Sequence, residues 1–389
     1  MAHARLRSAA TPESAGLRAP ELAALTEEID ALPLRGWCAG AVVLAGRGRY
    51  VALEHATGWA VRYASYDPES GGGVELPREQ WQPVTPDTRF DLASLTKLFT
   101  ALAAMQQCER GALELDRAAA GYVPEFGAHG KAHITVRQLL THTSGLRPEL
   151  PFYERPSDPL TLLWDERPVT APGSTYAYSD LNLIALQQVL ERLTGRGLDT
   201  LVREGITEPL GMRRTTYGPV PPESAAATED QRRPWAKADR GMLRGTVHDE
   251  NAWALGGVAG HAGLFATAAD LAVLCRTLLT GGAYGPARVL TASSVARLLA
   301  PPGLGFAVDQ PWFMGELAGA RSEGRAAGHT GFTGTSLVLD PVTDTFLILL
   351  ANTVHPVRRP PDNGPRAAAA TRLARSVQEG PGVRGRSAP

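Results

Sequence analysis

Apolar positions in residues 21–32, ELAALTEEIDAL, recur at helical spacing. The next stretch, CAGAVVLAGRGRYVALEHATGWA, forms two β-rich runs around a Gly-Arg-Gly turn. This order predicts a helix followed by a hairpin that opens a sheet. Residues 65–89 are dense in Gly, Pro and Asp and are expected to be loop. From about Phe90 the periodicity becomes helical in ASLTKLFTALAAMQQCERGALEL, TVRQLLTHTSG and LNLIALQQVLERLTG, each with a closing glycine. Residues 213–250 are polar and irregular. TAADLAVLCRTLLTGG predicts a helix with Thr267 as N-cap and Gly281 at its end. Strand patterning returns in TGTSLVLDP and TFLILLANTV, followed by an Ala/Arg helix near 366–378. The Gly/Arg/Pro-rich end is expected to be disordered.

Strands therefore lie at both ends of the chain and helices in the middle. The economical fold is α/β, with one mainly antiparallel sheet joining the two chain ends, helices on its faces, and a helical region inserted between. The corresponding boundaries are 1–90 and 255–380 for a discontinuous sheet domain, 91–254 for the helical domain, and 381–389 for the tail. No internal repeat is visible. Sites often form where two such parts meet.

Composition narrows the function. The chain has 389 residues, 43% hydrophobic and 20% charged, as in an ordinary globular protein with a sizeable core. A net charge of −1 gives no electrostatic footprint for nucleic acid or an anionic membrane surface. No stretch approaches the ~20 apolar residues of a membrane helix, and the N-terminus lacks the apolar run of a secretory signal. Cys38, Cys108 and Cys275 are too widely spaced for a disulfide framework or a zinc pattern. A reduced, cytoplasmic protein is expected. Of 39 basic residues only Lys97, Lys131 and Lys237 are lysines. In so Arg-biased a chain, a retained lysine points to a task that guanidinium cannot perform, such as acting as a neutral amine.

Ser94 and Lys97 stand three apart, so in a helix they share a face. An amine kept neutral by burial can take the serine's proton and make it a nucleophile. The alternative is that Ser94 only caps the helix. Yet Lys97 sits among Leu92, Leu95, Leu98, Phe99 and Leu102, an odd place for a solvated charge. In Tyr178-Ser179-Asp180, a phenol beside a lysine ammonium is expected to lose its proton more easily than usual and to act as base and acid. Ser179 or Asp180 equally fits the N-cap of the helix that follows, and Tyr176 lacks the matching polar third position and is expected to pack. Gly328-His329-Thr330-Gly331-Phe332-Thr333-Gly334 opens a strand where glycines admit a substrate backbone to a sheet edge, with His329 and Thr330 holding an anionic group or relaying a proton. A glycine-rich turn with an incidental histidine is the alternative. His248-Asp249-Glu250-Asn251 and His261 lack metal-site spacing and are expected to cap loops or line the cleft, so no metal and no cofactor is implied.

Taken together, Ser94-x-x-Lys97, Tyr178-Ser179-Asp180 and His329-Thr330-Gly331, in this order, resemble the three motifs of the serine β-lactamase and penicillin-binding-protein superfamily. The likeness is greater to its class C β-lactamase, DD-peptidase and esterase branch, which uses Tyr-x-Asn and Lys-Thr-Gly or His-Thr-Gly. TVRQLLTHTSGL, PGSTYAYSDLNLIALQQVLERLTG, EPLGM and GGVAGHAGLFATAADLA read like members of that branch. The resemblance implies Ser94 as acyl-accepting nucleophile, Lys97 as its partner and Tyr178 as base. Asp180, His329, Thr330, Gly331 and Thr333 are implied on the substrate side. An oxyanion hole is implied at the backbone N–H of Ser94 and of a residue near Thr333. Asp180 departs from the pattern, because a carboxylate only accepts where an amide also donates. It is expected to favour the charged form of Lys97 and to disfavour penicillin-like acylamides. A serine hydrolase of small-molecule or peptide esters or amides is expected. Acyl transfer, peptide cyclisation and a non-catalytic binding domain are the alternatives. Absence of an export signal argues against peptidoglycan.

Overall fold

The computed structural model describes residues 5–319 and 326–378. The tail expected to be disordered, 381–389, lies outside them. The central feature is an eight-stranded sheet. Its strands in chain order are β1 (Arg7–Ser8), β2 (Gly40–Arg47), β3 (Tyr50–Val61), the short Gln82–Pro83 strand paired to β3, β4 (Ala307–Val308), β5 (Ala327–Thr330), β6 (Ser336–Asp340) and β7 (Thr345–Ala351). Across the sheet they run β1-β3-β2-β7-β6-β5-β4. All pairings are antiparallel except β1 with β3. Both ends of the chain thus meet where β2 pairs with β7, in register from Arg47 opposite Thr345 to Ala41 opposite Ala351.

Period-two alternation explains why TFLILLA is apolar throughout. Phe346, Ile348 and Leu350 enter one core together with Val42 and Leu44 of β2. Leu347, Leu349 and Ala351 enter the other with Ala41, Val43 and Ala45. A strand covered on both faces needs no polar side. One face is covered by α1 (Ala19–Leu34) and by α5 (Gly364–Ser376). The other is covered by α4 (Ala268–Leu279) and the helical region. Thr267 caps α4 as its sequence predicts, accepting from the Asp270 N–H.

Within the helical region, α2 (Thr96–Glu109) is enclosed on all sides, with every residue from Thr96 to Gln107 buried. A helix of that kind shows no amphipathic stripe, as a central core helix should not. It packs against α3 (Asp180–Thr194), which begins at the residue after Tyr178-Ser179. The stretch expected to be loop and the stretch described as polar and irregular each carry a hairpin, Tyr63–Asp67 with Gly72–Glu75 and Ala227–Gln231 with Gly241–Arg244. Their strands are too short and polar to show alternation, and they are fixed by distant partners, as when Asp230 accepts from the Tyr66 N–H at 2.9 Å. Among the described residues no helix is long and apolar enough to cross a membrane.

Candidate active site

Strand Phe90–Asp91, paired to Leu264–Ala266, leads into a single turn, Ala93–Leu95, from which α2 starts. Ala93 takes a left-handed conformation (φ +46°), which costs a non-glycine residue about 1–2 kcal/mol. Asp91 holds that turn: one carboxylate oxygen accepts from the Ala93 N–H at 2.8 Å and the other from the His248 N–H at 2.6 Å. The kink delivers Ser94 to the mouth of a large cleft while the residues around it stay buried.

Lys97, fully buried one helical turn on, donates to Ser94 Oγ at 2.8 Å and to the His261 carbonyl at 3.3 Å. Its ammonium stands 2.7 Å from Asp180 Oδ1 and 4.9 Å from the centre of the Tyr178 ring. Burial alone would favour the neutral amine, but the facing Asp180 and Tyr178 outweigh it and raise the Lys97 pKa. Tyr178 is half-buried, with its ring against the Lys97 ammonium and its phenol close enough to Lys97 and Ser94 for both to favour the phenolate. Its pKa is raised as well, because burial and the Asp180 charge together exceed the pull of Lys97. The expectation of an acidified phenol is therefore overturned. The ammonium is present, but so are a dry environment and a carboxylate that sequence spacing does not reveal.

The Tyr178 segment is fastened by the turn after Val136–Leu140. His142 stacks on the Tyr178 ring with centroids 4.7 Å apart. Its carbonyl accepts from Ala177 N–H at 2.8 Å and the Pro148 carbonyl accepts from Asp180 N–H at 2.8 Å. Ser179 Oγ donates to the Arg147 carbonyl rather than capping α3. Asp91 and His142 carry no signature of their own in the sequence, although His142 lies within TVRQLLTHTSGL.

Strand β5, which runs past the end of the short edge strand β4, brings His329 and Thr330 to the other side of the cleft, with His329 and Tyr178 ring centres 5.9 Å apart. His329 Nδ1–H donates to its neighbour's carbonyl, Thr330 O, at 2.6 Å. Burial first, then the Lys97 charge, hold its pKa down at about 4, so it is neutral near pH 7. An ionic hold on an anion by His329 is thus unavailable. Gly331 is required by close approach: a Cβ there would stand 2.4 Å from the Leu92 carbonyl and 2.1 Å from Thr335 Oγ1. Thr333, expected to face substrate, is buried and donates to the Asp91 carbonyl at 2.7 Å, joining the turn after β5 to the serine turn. Phe332 lines the cleft in its place, its ring stacked 5.7 Å from that of His248. No carbonyl of a described residue accepts from the Ser94 or Phe332 N–H. Phe332, one residue before Thr333, thus supplies a free donor on the side where an oxyanion hole was expected.

The cleft encloses about 1600 Å³ and extends from Ser94 past Trp37, Trp312 and Pro360–Pro365. Tyr176, expected to pack, is exposed at its rim. Arg366 lies buried beside it, donating to the Gly331 carbonyl at 2.8 Å, with its Nε unpartnered among the described residues. The His-Asp-Glu-Asn cluster divides. Asp249 caps the helix Glu250–Ala254 and accepts from His261, and His248 bonds Glu229 within a buried network that includes Arg358 and Glu250. Asp180, Asp249 and His261 offer ligand atoms within 4.8 Å of one another, and the Lys97 ammonium is the positive charge set against Asp180 there.

A serine hydrogen-bonded to a buried lysine, with a tyrosine ring over that lysine, at the head of a central helix and against the sheet, defines the class of SxxK serine hydrolases. The chain belongs to the Beta-lactamase family, whose profile it matches over residues 22–372. It is 34% identical over 320 residues to a protein of Escherichia coli K12 called "Putative D-alanyl-D-alanine carboxypeptidase", covering 72% of this chain and 74% of that one. Its fold matches that of "EstCE1, a hydrolase with promiscuous acyltransferase activity", with TM-score 0.70 and 23% identity over 91% of this chain and 98% of that one. It also matches a penicillin-binding protein homologue from Caulobacter crescentus, with TM-score 0.70 and 23% identity over 93% and 99%.

Proposed function

We propose that the protein hydrolyses esters or amides through an acyl intermediate on Ser94. The observation that carries this reading is the 2.8 Å contact between Lys97 Nζ and Ser94 Oγ beneath the Tyr178 phenol, opening on the cleft. At rest, with the pKa of both Lys97 and Tyr178 raised, the pair carries an ammonium and a neutral phenol. Loss of one proton from that pair generates the base, and the two groups titrate together. Phenolate held by the Lys97 ammonium takes the Ser94 proton as Oγ attacks the carbonyl carbon. The developing oxyanion rests on the Ser94 and Phe332 N–H groups. Tyr178 then returns that proton to the departing alcohol or amine. Water, deprotonated by Tyr178, attacks the acyl carbon and releases the acid, and Ser94 recovers its proton.

Asp180 keeps Lys97 charged, so Lys97 serves as the electrostatic partner of the base rather than as the base. A second reading concerns the substrate. Arg366 is a cation beside the cleft without an ion-pair partner among the described residues, which supports substrates bearing a carboxylate, such as peptide C-termini. The separating test is kcat/KM for neutral p-nitrophenyl esters against D-Ala-D-Ala peptides and their C-terminal amides. Hydrolysis of neither class, with Tyr178→Phe indistinguishable from wild type, would sink the proposal.

A further inference from the structure

His142 is held in a way that its stacking on Tyr178 does not require. Its Nδ1 accepts two hydrogen bonds, from the Ser179 N–H and from Asn182 Nδ2, each at 3.1 Å. Asn182 is itself fixed, because Ser144 Oγ donates to its Oδ1 at 2.5 Å and so aims its NH₂ at the imidazole. With Nδ1 filled by two donors, the ring proton sits on Nε2. That nitrogen is not among the buried unpartnered atoms, no described residue accepts from it, and His142 lines the cleft beside Ser94, Tyr176 and Tyr178. The residue adopts a left-handed backbone (φ +54°), strain that is retained where the surrounding bonds fix one arrangement. Burial, the Lys97 charge and His329 depress its pKa to about 3, so the ring stays a neutral donor and is no proton carrier.

On the other side of Ser179, Asp180 is acceptor-only and already engaged by Lys97. The wall formed by residues 178–182 and 142 therefore lacks the amide donor that an asparagine at position 180 would supply. We propose that His142 determines acyl specificity: its Nε2–H donates to an uncharged carbonyl oxygen on the acyl group whose carbon is separated from the scissile carbon by two atoms, as in an N-acylamino acid ester. This inference rests on the acyl-Ser94 reading and deepens it.

The test compares p-nitrophenyl esters of N-acetylglycine and of an unbranched acid of equal length without the amide. Acylation rates are read by intact mass so that turnover is not needed. The wild type is expected to favour the acylamino ester. In His142→Phe, which keeps a ring against Tyr178 but has no donor, that preference falls by about 2- to 13-fold, the range for one neutral hydrogen bond. His142→Gln, which restores an N–H, recovers it. A wild type without the preference, or a preference unchanged in His142→Phe while both rates fall together, would overturn the inference and leave only a positioning role. Fluorophosphonate labelling of Ser94 in each variant reports the underlying hydrolase reading separately. If labelling persists while the preference is absent, the acyl-enzyme reading stands and the His142 inference does not.

Discussion

Asp180→Asn removes a negative charge that faces both Lys97 and Tyr178 and leaves a side chain of nearly the same shape. Asp180 raises the pKa of Lys97 and, by repelling the phenolate, that of Tyr178 as well. At 2.7 Å two unit charges interact by about 6 kcal/mol at an effective dielectric of about 20, which is an upper bound here. Asp180 is 21% exposed, and solvent screens part of that. The fraction expected to survive is the ~1–3 pH units by which one adjacent charge typically moves a buried group. The sign follows from the mechanism. The active form has one proton fewer than the resting pair, so lowering either pKa makes that form available at lower pH. The ascending limb of the kcat/KM profile, along which activity with a neutral p-nitrophenyl ester rises with pH, should therefore move down by ~1–3 pH units in Asp180→Asn. A limb that stays in place, or moves up, would refute the assignment of that limb to the Tyr178–Lys97 pair.

Further outcomes follow from the same geometry. Lys97→Arg keeps the charge, but a guanidinium overfills a fully enclosed site and cannot reproduce the ammonium's contacts; kcat/KM should fall at least about 100-fold, read by stopped-flow acylation. Asp91→Ala leaves the Ala93 and His248 N–H groups without their acceptor, and urea titration should show a loss of about 2–5 kcal/mol. Gly331→Ala drives a Cβ against Leu92, so kcat should fall far more than KM rises. His142, His329 and His355 are buried with pKa values held down at about 3, 4 and 4. The unfolded chain takes up those protons near pH ~6.5 and the folded one does not, so stability falls as pH drops from 7 towards 5, by at most about 6 kcal/mol. Denaturant titrations at several pH values would show that slope, and a flat profile would contradict the burial of neutral imidazoles.

The parts of this site legible in the sequence were those with a local signature. Ser94 and Lys97 lie one helical turn apart, and Lys97 stood out because its neighbours are apolar and lysines are rare. The strands of the sheet were legible because they are continuous apolar runs or alternate cleanly. The supports of the site were not, because they act across great sequence separation. Asp91 reaches His248 across 157 residues, and Thr333 meets Asp91 across 242. Thr333 was misplaced by one residue's worth of geometry: the chain turns at Gly331, so Phe332 faces the cleft and Thr333 faces inward. The raised pKa of Tyr178 was equally hidden, since it depends on burial and on the direction in which Asp180 points.

The central claim is that Ser94 carries the acyl group, and intact-mass analysis with a fluorophosphonate tests it most directly. Wild-type protein should gain one adduct located on the peptide containing Ser94, and Ser94→Ala, folded by circular dichroism, should gain none. An adduct of equal mass and rate in Ser94→Ala would contradict the account.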